Sequence, residues 1–330
     1  MRIRAGVRRC LLVAVVCVAA VAATGVAADA AQPGYHRYVA LGDSYTAGPL
    51  IPFQRLDPLG CFRSTDNYPS LLARQLAVDR FVDVSCSGAD TGDMTTAQPV
   101  PLGSNAPQFD ALTAETDLVT LGIGGNDNAV FGTLIGTCPG LRASDPTGAP
   151  CRDKFTVNGV DTIKVAIKQT QANVTAVLAG IHQRSPAAAV LVVGYPRIAP
   201  PTGYCPSRLP LADGDYAWAN SVEVALNSAL RDAVATDGAS SYVDTFTPSL
   251  GHDICATNGA AWINGQGLKL LRAAPYHPFE SAMIAEASLL YKALGGANMR
   301  GSYAAATTAH RSSPHAGVAA LRTAVTAARW

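Results

Sequence analysis

The sequence predicts an α/β domain built on a mostly parallel sheet, and three observations predict it. Five short apolar runs of buried-strand length recur along the chain. Longer stretches, apolar at every third or fourth position, stand between them. The two kinds of segment alternate instead of grouping, so helical crossovers join strands that lie parallel. The first run is Tyr38 to Leu41, ending at Gly42. Phe81 to Ser85, Leu118 to Gly122, Ala189 to Gly194 and Ser241 to Asp244 follow. Helices are expected at Asn67 to Leu76, Val160 to His182 and Asp213 to Ala235. The second is the clearest, with Val160, Ile163, Ile167, Val174, Val177 and Ile181 on one face. A last helix opens at Pro278, a favoured first-turn residue. Phe279, Met283, Ile284, Ala287 and Leu290 form its inner face, and Gly295-Gly296 closes it.

Composition narrows the class. Of 330 residues, 48% are hydrophobic and 15% charged, enough to bury a large core and too apolar for disorder over most of the length. A net charge of +1 gives no electrostatic case for binding nucleic acid. The long apolar run lies at the N-terminus, which excludes a multi-spanning membrane protein. There Arg2, Arg4, Arg8 and Arg9 precede an apolar stretch, and Ala28-Asp29-Ala30 follows. That is a signal-peptide pattern, with cleavage expected near Ala30 and the protein secreted. Removing residues 1–30 takes four Arg and Asp29 and leaves a net of −2. The folded domain is expected over 31–296. Residues 297–330 carry four Arg, no acid and many Ala, Ser and Thr, and read as a mobile tail. A weakly amphipathic basic helix from His315 to Trp330 would allow weak contact with a lipid surface.

Six cysteines remain after cleavage: Cys61, Cys86, Cys138, Cys151, Cys205 and Cys255. An even count in an exported chain reads as three disulfides. Fifteen connectivities exist and sequence alone does not choose among them; sequential pairing, 61–86, 138–151 and 205–255, is the expectation. No Cys-x-x-Cys pair occurs and the histidines are scattered, so no metal and no other cofactor is expected.

In an open parallel sheet the carboxyl ends of the strands converge on the site. The first strand runs into Gly42-Asp43-Ser44-Tyr45, the second into Ser85-Cys86-Ser87-Gly88-Ala89, the third into Gly122-Ile123-Gly124-Gly125-Asn126-Asp127. A serine, a glycine amide and an asparagine amide on one rim are the inventory for acyl transfer: a hydroxyl that attacks a carbonyl and donors that hold the oxyanion. Gly88 lets its N–H approach a substrate closely, and Asn126 offers a neutral, fixed donor. Gly122-x-Gly124 begins a dinucleotide fingerprint, but Asp127 stands where the third glycine belongs. Among six histidines, His277 is favoured as base because it sits in a loop just before a helix. His252, in a disulfide loop, is second; His182 reads as a solvated cation at a helix end.

These residues resemble the blocks of the SGNH hydrolases. Gly42-Asp43-Ser44-Tyr45 is similar to the GDSL motif, Gly88 to the second-block glycine, Gly124-Gly125-Asn126-Asp127 to the third block and His277-Pro278 to the fifth. The resemblance covers roughly Tyr38 to Leu294 and is strongest to secreted actinobacterial esterases, lipases and phospholipases. Gly251-His252-Asp253-Ile254-Cys255 and Trp262-Ile263-Asn264 also look like segments of that subgroup. It implies a three-layer α/β/α sandwich with a central five-stranded, mostly parallel, flavodoxin-like sheet. It implies sequential pairing of the cysteines as well. Ser44 would be nucleophile, His277 general base, and the Ser44 and Gly88 N–H groups with the Asn126 amide the oxyanion hole.

One departure matters. The family pattern places an aspartate three residues before the histidine, and here that position is Ala274. The expectation is a Ser44–His277 dyad whose Nδ1 proton goes to the backbone carbonyl of Ala274, with Asp253, Asp244 or Glu280 as carboxylate alternatives. Asp43 reads as shaping the turn at Ser44, and Asp127 as supporting Asn126. The expected protein is a monomeric, secreted ester hydrolase acting on an acyl ester or lipid. Phospholipase, acyltransferase or carbohydrate de-esterase activity on the same site is the alternative within enzymes. A non-catalytic binding protein on the same scaffold is the rival from another class.

Overall fold

A computed structural model describes residues 34–296 and 323–326. In chain order the elements are β1 (Arg37–Gly42), α1 (Ser44–Ala47), α2 (Tyr68–Leu76), β2 (Arg80–Asp83), β3 (Gln98–Val100), β4 (Gly103–Asn105) and β5 (Leu118–Gly122). Then come α3 (Cys138–Leu141), α4 (Pro150–Phe155), β6 (Thr156–Val157), β7 (Val160–Asp161), α5 (Thr162–Arg184) and β8 (Ala189–Val193). The last are α6 (Asp215–Asp237), β9 (Ser241–Val243) and α7 (Glu280–Ala293).

Five strands form one sheet in the order β2-β1-β5-β8-β9, and every pairing is parallel. Counted among themselves the five run 2-1-3-4-5, the flavodoxin-like order, as expected. β3 with β4 and β6 with β7 are two small antiparallel hairpins outside it.

The period of two along a strand explains the layers. Val39, Leu41, Val119, Leu121, Val190 and Val192 point to one face. There they meet Ile167, Val174 and Leu178 of α5 and Leu226 and Leu230 of α6. Tyr38, Ala40, Leu118, Leu191 and Val193 point to the other, against Leu71 and Leu72 of α2 and Met283 and Leu290 of α7. This is the three-layer α/β/α sandwich. Tyr38 through Leu41 are wholly buried, so both faces of the sheet are covered.

Each expected helix starts one or two residues later than the sequence reading: α2 at Tyr68 with Asn67 as its N-cap, α6 at Asp215 instead of Asp213, and α5 and α7 as follows. α5 begins at Thr162, because the Asp161 side chain accepts the N–H groups of Ile163 and Lys164 and caps the helix. Val160 therefore stays outside it, in β7, and is half exposed. α7 begins at Glu280 with Phe279 at its N-cap, while Pro278 pairs with Ile263 in a short bridge. The three disulfides are Cys61–Cys86, Cys138–Cys151 and Cys205–Cys255, the sequential set. The expected signal peptide lies outside the described residues, as does most of 297–330. Residues 323–326 form a helical turn in which Ala324 is buried with Leu50, Leu59, Phe62 and Ala274.

Candidate active site

The strand order reverses direction at β1: the chain leaves it to one side for β2 and returns on the other as β5. A crevice at the carboxyl ends follows from that topology. Gly42 and Gly122, the last residues of β1 and β5, are direct partners. They must both be small. A Cβ on Gly42 would fall 2.7 Å from the Gly122 carbonyl oxygen and 2.2 Å from Thr46 Oγ1. The Asp43 N–H donates to the Gly122 carbonyl at 2.9 Å, which turns the chain sharply into α1 and leaves Ser44 as its first residue.

Asp43 does what its place in the turn suggested. Its Oδ1 accepts the Tyr45 N–H at 2.8 Å, and its Oδ2 accepts the Tyr195 hydroxyl at 2.5 Å. Tyr195 Oη in turn accepts the Gly125 N–H at 2.8 Å. One phenol thus ties the Ser44 turn to the loop that carries Asn126. Burial pushes the Asp43 carboxyl up to about 7, while the Tyr195 and Tyr45 hydrogen bonds pull the other way. Tyr195 was not singled out from sequence, although it follows the fourth strand's end as Ser44 follows the first. The rule that strand ends carry the site, extended one strand further, would have found it.

The donor loops are stitched together as well. The Cys86 N–H reaches the Gly42 carbonyl at 2.9 Å, and Ala89 N–H closes a tight turn on the Cys86 carbonyl. Gly88 lies inside that turn at φ +81°, a conformation that glycine adopts without strain, and it is solvent exposed. The Asn126 Nδ2 donates to the Ala89 carbonyl at 2.8 Å. That bond uses one amide hydrogen and fixes the direction of the second. Asp127 acts elsewhere than on the Asn126 side chain. Its carboxylate accepts from the Thr91 N–H, the Thr91 hydroxyl and Asn173 Nδ2, fastening the loop to its surroundings.

His277 comes beside the Ser44 turn through Tyr45. The two rings are 5.6 Å apart, and the Tyr45 hydroxyl donates to the Tyr276 carbonyl at 2.8 Å. The expected partner of Nδ1 needs correction. It is the Pro275 carbonyl, at 2.6 Å, not that of Ala274. The Ala274 oxygen is taken by the His277 N–H at 3.3 Å and by Asn264 Nδ2 at 2.9 Å. Two residues of separation bring the ring back over its own chain where three do not. A carbonyl only accepts, so Nδ1 carries the hydrogen and Nε2 keeps its lone pair. Two of the three carboxylate alternatives are engaged as turn caps, Asp253 accepting the Cys255 N–H and Asp244 those of Phe246 and Thr247, while Glu280 opens α7 and lines a cavity with Lys269 and Arg272. His252 stacks on Trp262 and meets the Ala260 carbonyl, and His182 pairs with Asp237.

Burial lowers the His277 pKa to about 4, with the Pro275 hydrogen bond opposing. The imidazole is therefore neutral at pH 7 and becomes protonated only as pH falls through that value. If His277 is the base, kcat/KM on a soluble nitrophenyl ester should stay level from pH 7 to about 5 and drop near 4. A pH–rate series with a return-to-neutral control measures this. A limb at or above the ordinary histidine value of 6.5 contradicts it.

Comparison with known proteins agrees with this geometry. The model of the GDSL-like Lipase/Acylhydrolase family matches residues 40–280. Lipase 2 of Streptomyces coelicolor is 42% identical over 247 residues, 73% of this chain and 80% of that protein. The crystal structure of a phospholipase A1 from Streptomyces albidoflavus superposes with a TM-score of 0.65 at 28% identity, over 79% of this chain and 99% of that one. An extracellular lipase from Streptomyces rimosus gives 0.64 at 29%, over 78% and 98%. On the family match and the identity to Lipase 2, carried by a parallel sheet whose strand ends hold the family's blocks, the chain belongs to the GDSL-like lipase and acylhydrolase family of carboxylic ester hydrolases.

Proposed function

We propose that this chain cleaves acyl esters through an acyl-enzyme on Ser44, with His277 as base and then acid. His277 Nε2 takes the hydroxyl proton as Ser44 Oγ attacks the acyl carbon. The oxyanion that forms is held by the Ser44 and Gly88 N–H groups and the free hydrogen of the Asn126 amide. The imidazolium gives its proton to the leaving alcohol, and a water activated by the same Nε2 releases the acid. The observation that carries this reading is the Nδ1 contact with the Pro275 carbonyl, which commits the one nitrogen and leaves the other basic. Supporting it, Ser44 and His277 are 7% and 9% exposed, shielded from bulk water yet open to a substrate atom.

A lipid ester is the substrate class favoured by the names of the relatives, and the likeness to a phospholipase A1 puts phospholipids within it. The three disulfides, which persist where thiols stay oxidised, support action outside the cell. A fluorophosphonate tests the nucleophile. The wild-type chain should gain one adduct by intact mass, mapped to the peptide holding Ser44, and Ser44→Ala should gain none. Labelling that survives the substitution rejects the assignment.

A further inference from the structure

Just ahead of the histidine block the chain exposes an unusual surface. Leu268, Leu270 and Leu271 are 46%, 51% and 61% exposed. Single exposed leucines are ordinary, but a contiguous apolar patch marks an interaction site. Lys269 and Arg272 stand among them, and neither forms an ion pair among the described residues. Both lie against one ring, Phe279, with Lys269 Nζ 4.9 Å and the Arg272 guanidinium 5.4 Å from its centroid. Arg208 adds a third cation to the wall of the same cavity, of about 670 Å³, where Glu280 is the carboxylate. Burial, and then repulsion from Arg272 and Arg208, holds the Lys269 ammonium below its ordinary value. Such a crowd of like charge costs stability unless something anionic completes it. Pro52 lines that cavity too, and the adjoining residues Phe53 and Leu56 are 46% and 64% exposed.

The patch is held in shape. Lys269 and Ala273 exchange both backbone hydrogen bonds, at 3.3 and 3.0 Å. The buried Asn264 amide donates to the carbonyls of Gly267, Ala273 and Ala274 and so closes the base of the loop. The Asn264 N–H donates to the His277 carbonyl at 2.9 Å. The exposed leucines and the proposed base thus hang from one residue.

We infer that the 266–272 loop is a docking surface for a lipid bilayer bearing anionic headgroups. The leucines enter the boundary between headgroups and acyl chains, and Lys269 and Arg272 meet the phosphates above it, while Arg208, whose Nη1 donates to the carbonyls of Ile254, Cys255 and Ala256, adds its charge from the cavity wall. Charge complementarity selects this partner. Unpaired cations on long stems between exposed aliphatic side chains match the depth profile of an interface, apolar within and anionic at the rim. The docking rests on the ester-hydrolase reading for its purpose, since it brings a lipid-bearing surface to the His277 block; the binding itself makes and breaks no bond.

Sedimentation of the full chain with ether-linked phospholipid vesicles tests it, because such lipids hold no ester to cleave. Wild-type protein should bind mixed phosphatidylcholine–phosphatidylglycerol vesicles at least about tenfold more tightly than phosphatidylcholine alone, an advantage that shrinks with added salt. Lys269→Gln with Arg272→Gln should erase most of that preference. Leu270→Ser with Leu271→Ser should weaken binding to both vesicle types by about tenfold or more. Both variants should turn over a soluble nitrophenyl ester like wild type, which shows that they are folded. Unchanged vesicle binding in both variants, or no binding by wild type, overturns the docking surface and leaves the hydrolase reading intact. Failure of the wild type to cleave any ester overturns the hydrolase reading without bearing on the vesicles.

Discussion

His277→Ala is expected to lower kcat by about 10⁴–10⁶ while changing KM little, the loss seen when one member of a catalytic unit is removed. The residue supplies the only step in the proposed sequence that needs a group able to take and return a proton near neutral pH. Its neighbours cannot stand in. Tyr45 is committed to the Tyr276 carbonyl, and burial raises its phenol far above the neutral range. The carboxylates of Asp253 and Asp244 are occupied by backbone amides. Asp253→Asn should accordingly retain most of the activity. Steady-state kinetics on a soluble ester, with circular dichroism to confirm folding, measures both. A fall of less than about tenfold in His277→Ala removes it from the role of base, and a large fall in Asp253→Asn reveals a carboxylate acting through it. A carbonyl at Nδ1 fixes the tautomer but adds no full negative charge, so the imidazolium is stabilised less than beside an aspartate.

Asn126→Ala is expected to lower kcat by about 10²–10³, again with KM nearly unchanged. On the proposed mechanism the amide strengthens its bond only when the substrate carbonyl becomes an oxyanion, so its removal should be felt in the transition state and hardly in binding. The same substitution strips the Ala89 carbonyl of its donor and loosens the turn that holds Gly88. Asn126→Asp removes the same donor, since a carboxylate cannot donate to the Ala89 carbonyl. It keeps an acceptor-sized group but places negative charge where charge develops, and should be at least as damaging as alanine. Equal kcat in wild type and Asn126→Ala would take this residue out of the oxyanion hole.

Much of this was legible in the sequence because its signals are local. Strand Leu118–Gly122 carries an apolar run stopped by glycine, and it appears with those bounds. The Gly88 turn and the Ser44 turn lie at strand ends, where topology gathers chemistry whatever the loops do. What escaped is non-local. Tyr195 lies about 150 residues from Asp43 in the chain, and only packing of β8 beside β5 brings its hydroxyl to the Gly125 amide. The choice of Pro275 over Ala274 depends on one residue's backbone direction, Tyr276 at φ +61°, which no spacing rule encodes. The start of α5 moved because a capping aspartate outranked the hydrophobic period that ran past it.

The Cys61–Cys86 bond reaches further than the stability of a loop. Cys86 opens the turn that presents the Gly88 amide, and the neighbouring Ser87 N–H is held by the Cys61 carbonyl. On the proposed mechanism, a covalent tie between two distant loops therefore also sets where the Gly88 amide points.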